Sequence, residues 1–507
     1  MKNSLYIAVL SVLTLPLLSQ NDLDAMRYSQ TFFGGTSRSK AMAGSFGALG
    51  ADGSCMAINP AGIGLYKKGD INIGFGLKIG SVDATHNGTS FNTSSTNATF
   101  DGLTLVGAWY SKTDPKSHHS IGLSGNQLVN FNSKIYIEGN SNHKSITTDM
   151  LATAKGINVD NLDGGYAGLA FNTLALDSIY GQYYSFVNTR VNFKQANDVQ
   201  KTGRINEWNF NYAYGYDDKL YLGASLGISS VNFNYRSTYS EVDNENNMRL
   251  GYNTSTNSLF GTYNDGYNDS VYYYSGFGGF KDLTYEETYR TTGTGYNLKI
   301  GAIYRAADFI RLGASFVTPT FYNLTDTYIY SMSTHFDEGG SYSQENPTSP
   351  GGRYSYKIVT PLKFTGSVAF LYKKFGAINI DYDIINYKQA SLQSSDNSFT
   401  GVNNTIKKKY GQTSNLRVGA ELVFSPLYVR LGYAMYGSPF GDTFSGNDVT
   451  TFYTGGVGYR RNKFYVDLSF TKSGSNENYY MYNSAYVDKS TLKNSGTTIG
   501  ITVGSKF

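Results

Sequence analysis

The chain of 507 residues sets 42 Lys and Arg against 38 Asp and Glu, and a formal charge of +4 is too small to argue for nucleic acid or an anionic surface as partner. Its single cysteine excludes a disulfide framework. With 57 Gly, 45 Tyr and 30 Phe but only 16% charged residues, the composition argues against a soluble extracellular sandwich. It suits an outer-membrane barrel, whose aromatic girdles sit at both lipid–water interfaces.

Residues 1–19 read as a secretory signal, with Lys2 as the positive region, Leu5 to Leu18 as the apolar region and Ser19 as a small residue for cleavage. Pro16 and the shortness of the run argue against a spanning helix. Past it no stretch approaches the roughly 20 apolar residues that cross a bilayer as a helix. The mature chain is therefore either soluble after export or spans a membrane as a barrel.

From 20 to 68 the sequence has no good strand. "GGTSRSKAMAGSFGALGADGSCMAINPAGIG" predicts one short helix around Arg38 to Ala43, among closely spaced glycines. Glycine allows close backbone approach, so the segment is expected to fold tightly in a confined space. It precedes the first strand on the side of the short turns, and its economical place is the barrel lumen, as a plug.

Alternating strands then follow, beginning near Ile71, Gly102, Ser120, Arg204, Leu220, Tyr289, Phe309, Tyr354, Ala377, Asn415, Leu427, Thr451, Phe464 and Ser495. That makes about fourteen, an even number, as in bacterial barrels. Their connections alternate in length. One set is short and polar, such as "KTDPKSH", "YDDK" and "RRNK". The other is expected to be long: Val82 to Thr99, Asn140 to Gly203, Glu241 to Thr288, Pro319 to Arg353, Ala390 to Thr413, Gly437 to Thr450 and Ser473 to Asn494. Short turns on one side and long loops outside the cell is the layout of an outer-membrane barrel.

Within 140–203, "SITTDMLATAKGI" has helix-like spacing and "GGYAGLAFNTLALDSIYGQYYSF" is strongly apolar. Such a loop reads as a binding surface or folded lid, or as a rigid cap packed on its neighbour. The loop from Glu241 to Thr288 is rich in tyrosine, which suits an apolar or ring-shaped ligand.

One face of each strand is apolar, as in "FIRLGASF" and "FYVDLSF", and lipid requires that face. The opposite face carries Arg311, Arg417, Glu421, Arg430, Asp381, Asp383 and Asp467, which must look into the lumen. The arginines match a ligand carboxylate, or they pair with the lumen acids and hold the interior together. The last strand, "TTIGITVGSKF", ends on an aromatic residue, as in the C-terminal signal of bacterial outer-membrane barrels.

"SRSKAMAGSFGALGADGSCMAINPAGIG", followed by a barrel of about fourteen strands and an aromatic end, resembles the FadL/TodX-type outer-membrane transporters of long-chain fatty acids and aromatic hydrocarbons. "GRINEWNFNYAYGYDDKLYLGASLGISSVNFNY" also looks like a central strand pair of that family. The resemblance implies an N-terminal hatch whose Asn-Pro-Ala turn is here Asn59, Pro60 and Ala61. It further implies a hydrophobic route from outer loops to a lumen pocket, then sideways through a gap at a kinked third strand. In "HSIGLSGNQLVNFNSKIYIEG" the odd positions Ile121, Leu123, Val129, Phe131, Ile135 and Ile137 are expected to face lipid, with Gly125 and Gln127 interrupting that face. Gly125, Asn126 and Gln127 are therefore the candidate lateral gate.

Other signals carry little. Ser225 in "GASLG" matches G-x-S-x-G but lies mid-strand. The histidines fall in expected loops or strand ends, with only His118 and His119 adjacent, and Cys55 reads as a small buried residue.

The expectation is thus an all-β, transmembrane antiparallel barrel over 69–507 with a hatch over 20–68 in its lumen. The protein is expected to be a monomer in the outer membrane of a Gram-negative bacterium, without catalytic residues, metal, cofactor or nucleic acid. Its partners would be outer-membrane lipid and a hydrophobic small molecule, a fatty acid or aromatic hydrocarbon. The alternative is a secretion or attachment partner for a surface protein, built on the same hatch-bearing barrel.

Overall fold

The computed structural model describes residues 21–507 apart from 180, 247, 249–250, 254–257, 261–278, 338, 348–350, 396–397 and 442–447. The expected signal at 1–19 and most of the tyrosine-rich loop lie outside the described residues. Among the described residues no helix is long and apolar enough to cross a membrane.

Fourteen antiparallel strands close into one transmembrane barrel. They are β1 (Asp70–His86), β2 (Thr89–Tyr110), β3 (Ser117–Asn130, resuming at Ser133–Asn140), β4 (Lys194–Tyr216), β5 (Leu220–Val242), β6 (Phe280–Ala307) and β7 (Ile310–Val317 with Phe321–Phe336). The second half holds β8 (Gly352–Val359 with Lys363–Tyr372), β9 (Gly376–Asn386), β10 (Gln412–Phe424), β11 (Leu427–Tyr436), β12 (Thr450–Arg461), β13 (Phe464–Tyr479) and β14 (Ser490–Lys506). Closure comes from β1 on β14, in register from Asp70↔Lys506 to Thr85↔Thr491. Gly69 and Phe507 exchange both backbone hydrogen bonds at 3.0 Å, so the last residue locks onto the start of the first strand.

Ile71, Ile73, Phe75, Leu77 and Ile79 of β1 are exposed in alternation, and Ile499, Ile501 and Val503 of β14 continue that belt. The wall hides its backbone polar groups in ladder bonds and turns apolar side chains to lipid, as a spanning β-structure must.

All fourteen expected strands are present, but several run further than the alternation indicates. Residues 82–99, expected as a loop, continue β1 and β2 to a two-residue turn at Asn87 and Gly88, both at positive φ. Much of 319–353 is likewise strand, over Phe321–Phe336 and Ser341–Asn346. Above the lipid both faces of a strand are polar, so the period-2 signal fades while the ladder continues.

The loop between β3 and β4 holds α4 (Ile146–Ala154) and α5 (Ala167–Asn172), and 400–409 forms α6 (Thr400–Lys409). Met150, Leu169, Ala170 and Leu176 of the first loop are buried against Val199, Tyr239, Leu283, Met332 and Leu492 of the strands. Its apolar residues fill the long-loop mouth; most of the neighbouring loop, on which the cap alternative has it pack, lies outside the described residues. Glu241 of β5 sits at the start of α4, accepting from Ile146 N at 2.8 Å and Ser145 Oγ at 2.6 Å.

The hatch lies inside the barrel. It comprises α1 (Asp22–Ser29), α2 (Ser37–Ala41), α3 (Cys55–Ile58) and a 3₁₀ turn at Pro60–Leu65. The expected helix near 38–43 is α2, capped by Thr36 through Ser39 N. The other helices were not legible, because α1 spans only eight residues and α3 four, too short to show an apolar period.

Candidate functional site

The hatch is fixed to the wall by directed polar bonds. Asn59 supplies one, its Nδ2 donating to Ala302 O at 3.1 Å, and makes two more within the hatch, its Oδ1 accepting from Ala61 N at 3.2 Å and its Nδ2 donating to Gly47 O at 2.6 Å. Pro60 opens the 3₁₀ turn, where its missing N–H costs nothing. A Cβ on Gly301 of β6 would lie 1.9 Å from Asn59 Oδ1, and one on Gly313 of β7 2.3 Å from Gly47 O. The wall is thus bare glycine where the hatch backbone presses on it. This floor went unread in the sequence, although its signal is there: "YLGA", "KIGA", "RLGA" and "RVGA" each set a glycine a few residues from a short turn.

Of the expected inward charges, all but Arg311 are in ion pairs. Arg417 donates to Asp383 at 2.7 and 3.0 Å and to Asp381 at 3.3 Å. Arg430 bonds Glu421 and Asp467, each at 2.6 Å. Arg38 of the hatch forks onto the same Glu421 at 2.8 and 2.9 Å, and Lys40 pairs with Asp101. Asp381 also accepts from the backbone N–H of Phe46 and Gly47. Arg311 donates to Leu49 O at 2.8 Å. The hatch cations Arg38 and Lys40 were not anticipated as partners, yet they stand out as the two charges of "SRSKA".

At the third strand the wall breaks. The β2–β3 ladder ends at Gly102↔Asn126, where Gly102 takes a φ of +148°, and a bulge follows between Gln127 and Val129. One inserted residue reverses which face each later side chain occupies. Phe131, Ile135 and Ile137, expected on the lipid face, therefore turn inward. Phe131 packs on Phe233 at 4.8 Å, and both isoleucines are buried in the cap cluster. Gly125 lies beside Trp208, whose ring fills the space a side chain there would take. Gln127 brings its backbone carbonyl against Gly34 of the hatch.

Between this bend and the hatch lies a cavity of about 110 Å³. Tyr28, Phe32 and Phe33 of the hatch, Leu128 of β3, and Tyr322 and Tyr436 of the wall give it an apolar body. Asn126 and Gln127 form one side, while Arg417, Lys299 and Lys363 bring charge to it. Lys299 is tied to Glu207 at 2.7 Å. Lys363 is in no ion pair among the described residues, and Asp383, the acid whose field reaches it, is already held by Arg417. A second wall irregularity, also unread, borders the same cavity. Pro319 of β7 and Pro361 of β8 interrupt their strands at one level, and Thr320 and Thr360 stitch the gap at 2.8 Å.

His118 lies within β3, buried, with Nε2 against Gly64 O, and Ser225 is buried in mid-β5. Among the described residues no group of three or more His, Cys, Asp and Glu is placed for a metal ion.

No family model matches the chain, and no curated relative does. Solved structures do. A FadL homologue from Pseudomonas aeruginosa aligns over 94% of this chain and 100% of its own at 13% identity, with a TM-score of 0.54. The toluene transporter TodX of Pseudomonas putida covers the same shares at 13% identity, with a TM-score of 0.51. The chain has the FadL-type fold. At that identity the likeness is one of architecture: a hatch-plugged barrel of fourteen strands.

Proposed function

We propose that the chain is an outer-membrane transport protein of a Gram-negative bacterium. In this reading it passes hydrophobic small molecules, fatty-acid-like or aromatic, inward through a plugged barrel and releases them sideways into the bilayer. The observation that carries it is the cavity enclosed by the hatch on one side and the end of the β2–β3 ladder on the other. An apolar cavity of about 150 Å³ holds benzene, so a space of this order suits one ring or the end of an alkyl chain. Release through the wall spares an apolar molecule the aqueous barrier beyond it. TodX, which shares the fold, is a toluene transporter.

In this role Gly125, Asn126 and Gln127 form the gate and Trp208 its shutter on the lipid side. Asn59, Pro60 and Ala61 set the hatch, and Glu421, Asp381 and Asp383 hold the arginines for structure rather than for ligand. A map of the protein saturated with toluene or dodecanoate tests the reading, with density expected in the cavity. Single-channel recording should find the intact protein closed and a deletion of 20–68 open. A large conductance in the intact protein, or an empty cavity at saturation, overturns the reading. Co-purification of a secreted protein would turn it toward the attachment role.

A further inference from the structure

The inward bend of β3 leaves a second cavity on its other side, of about 200 Å³, between residues 130–134 and the inner faces of β12, β13, β14, β1 and β2. Its lining differs in kind from the first. Ser95, Ser133, Ser473, Ser475, Asn130 and Asn132 present hydroxyls and amides, and among the described residues no Asp or Glu lines it. Two lysines do. Lys134 lies 3.8 Å from Asp198, which offsets its charge. Lys78, from the middle of β1, is partly buried and, among the described residues, has no acidic side chain near enough to offset it. Its one bond among the described residues goes to Asn130 O at 3.3 Å, where β3 leaves the wall.

An ammonium has three donors, and a partly desolvated cation without a counter-charge is costly to keep. Elsewhere in the lumen Arg38, Lys40, Lys299, Arg417 and Arg430 each have a carboxylate within hydrogen-bond reach. Lys78, like Lys363 at the first cavity, departs from that pattern, and it does so at a place already shaped as a cavity and furnished with neutral donors. A cation without a carboxylate partner, among hydroxyls and amides, is complementary to an oxyanion, which the cation neutralises and the hydroxyls solvate.

We propose that this vault is an oxyanion site, in which Lys78 with the surrounding serines takes the carboxylate or phosphate head group of an amphiphile standing at the break in the wall. The proposal rests on the uptake reading only in placing an amphiphile there. The head group has two sources, a cargo molecule or a bilayer lipid.

Calorimetric titration of the full-length protein in neutral detergent tests it, with dodecanoate, dodecyl phosphate, dodecanol and inorganic phosphate as probes. The intact protein should bind the two anionic amphiphiles at least tenfold more tightly than dodecanol. Lys78→Met should bring them to the level of dodecanol, Lys78→Arg should keep most of the preference, and dodecanol should bind all three forms alike. Heat-modifiable migration on a gel shows whether each variant is folded.

Equal affinity for charged and neutral probes in the intact protein overturns the proposal, as does an undiminished preference in folded Lys78→Met. Inorganic phosphate binding as tightly as dodecyl phosphate overturns the amphiphile in favour of a free anion. Native mass spectrometry separates the sources. An anionic lipid retained by the intact protein and lost from Lys78→Met assigns the head group to the bilayer, and its absence together with dodecanoate binding assigns it to cargo. If dodecanol fails to bind at all, the uptake reading suffers, while the charged comparison still decides the site.

Discussion

At the short-turn end the lumen is filled by small residues tied to the wall through Arg38, Lys40, Asn59 and the backbone of Phe46 and Gly47. At the long-loop end it is filled by Met150, Leu169, Leu176 and their neighbours, packed on Tyr239, Leu283 and Met332. Directed bonds hold a plug in one orientation, and each needs its own partner in place. Apolar burial is non-directional, and its strength follows the area covered. The hatch is held mostly the first way; the cap is held mostly the second, with Glu241 bonding the start of α4 as a directed tie.

The largest effect should come from removing the acid that serves both hatch and wall. Glu421→Ala leaves Arg38 and Arg430 buried without their shared carboxylate, and breaking a buried pair from one side costs about 3–5 kcal/mol. Hydrogen exchange should rise across α2 while the cap stays protected, and single-channel recording should find the barrel leaky. Next comes the cap itself. Leu169→Ala removes a fully buried side chain and should cost about 3 kcal/mol. Here the exchange pattern should invert, with α4 and α5 loosened and the hatch unchanged. If both variants loosened both ends, the two closures would be one cooperative unit and the contrast would fall.

Asn59→Ala tests a smaller piece of the directed end. It removes a cap on the 3₁₀ turn and a bond to Ala302 O, a loss of about 1–2 kcal/mol. Urea unfolding should report it. Asn59→Asp, which keeps the acceptor but loses the donor, should recover only part of the loss.

The contrast also explains what was legible in the sequence. Strands between lipid and lumen must alternate, so all fourteen were visible from side chains such as Ile310, Leu312 and Ala314. Where lipid no longer enforces that pattern, as at 82–99, the strand was invisible and only the ladder maintains it. The bend of β3 was half legible. Gly125 and Gln127 marked the place, but one bulged residue reversed the sides of Phe131, Ile135 and Ile137, and a bulge of one residue leaves no mark on composition. In the hatch, Asn59-Pro60-Ala61 was marked by the family resemblance, and the bond that caps its turn, Ala61 N to Asn59 Oδ1, is local. The fork of Arg38 onto Glu421 was not, since its partners stand 383 positions apart. The inward arginines were placed correctly by alternation, while their pairing depends on which strands become neighbours.

The smallest effect is the sharpest control on the directed end. Lys67 and Asp218 form an ion pair of 3.1 Å at the short-turn mouth, little longer than the 2.8 Å of Arg38 on Glu421. Their side chains are 63% and 43% exposed, against 10% and 8% for the buried pair. Water and salt screen the exposed pair, so Lys67→Ala should cost at most about 0.5 kcal/mol. Raising the salt, which shortens the screening length, should erase even that. Urea midpoints at low and high salt measure both terms. A loss near that of Glu421→Ala would mean that any ion pair seats the hatch; the small, salt-sensitive loss expected here is that of one exposed Lys–Asp contact, whereas Glu421 is buried and is shared by two arginines, one of them bidentate.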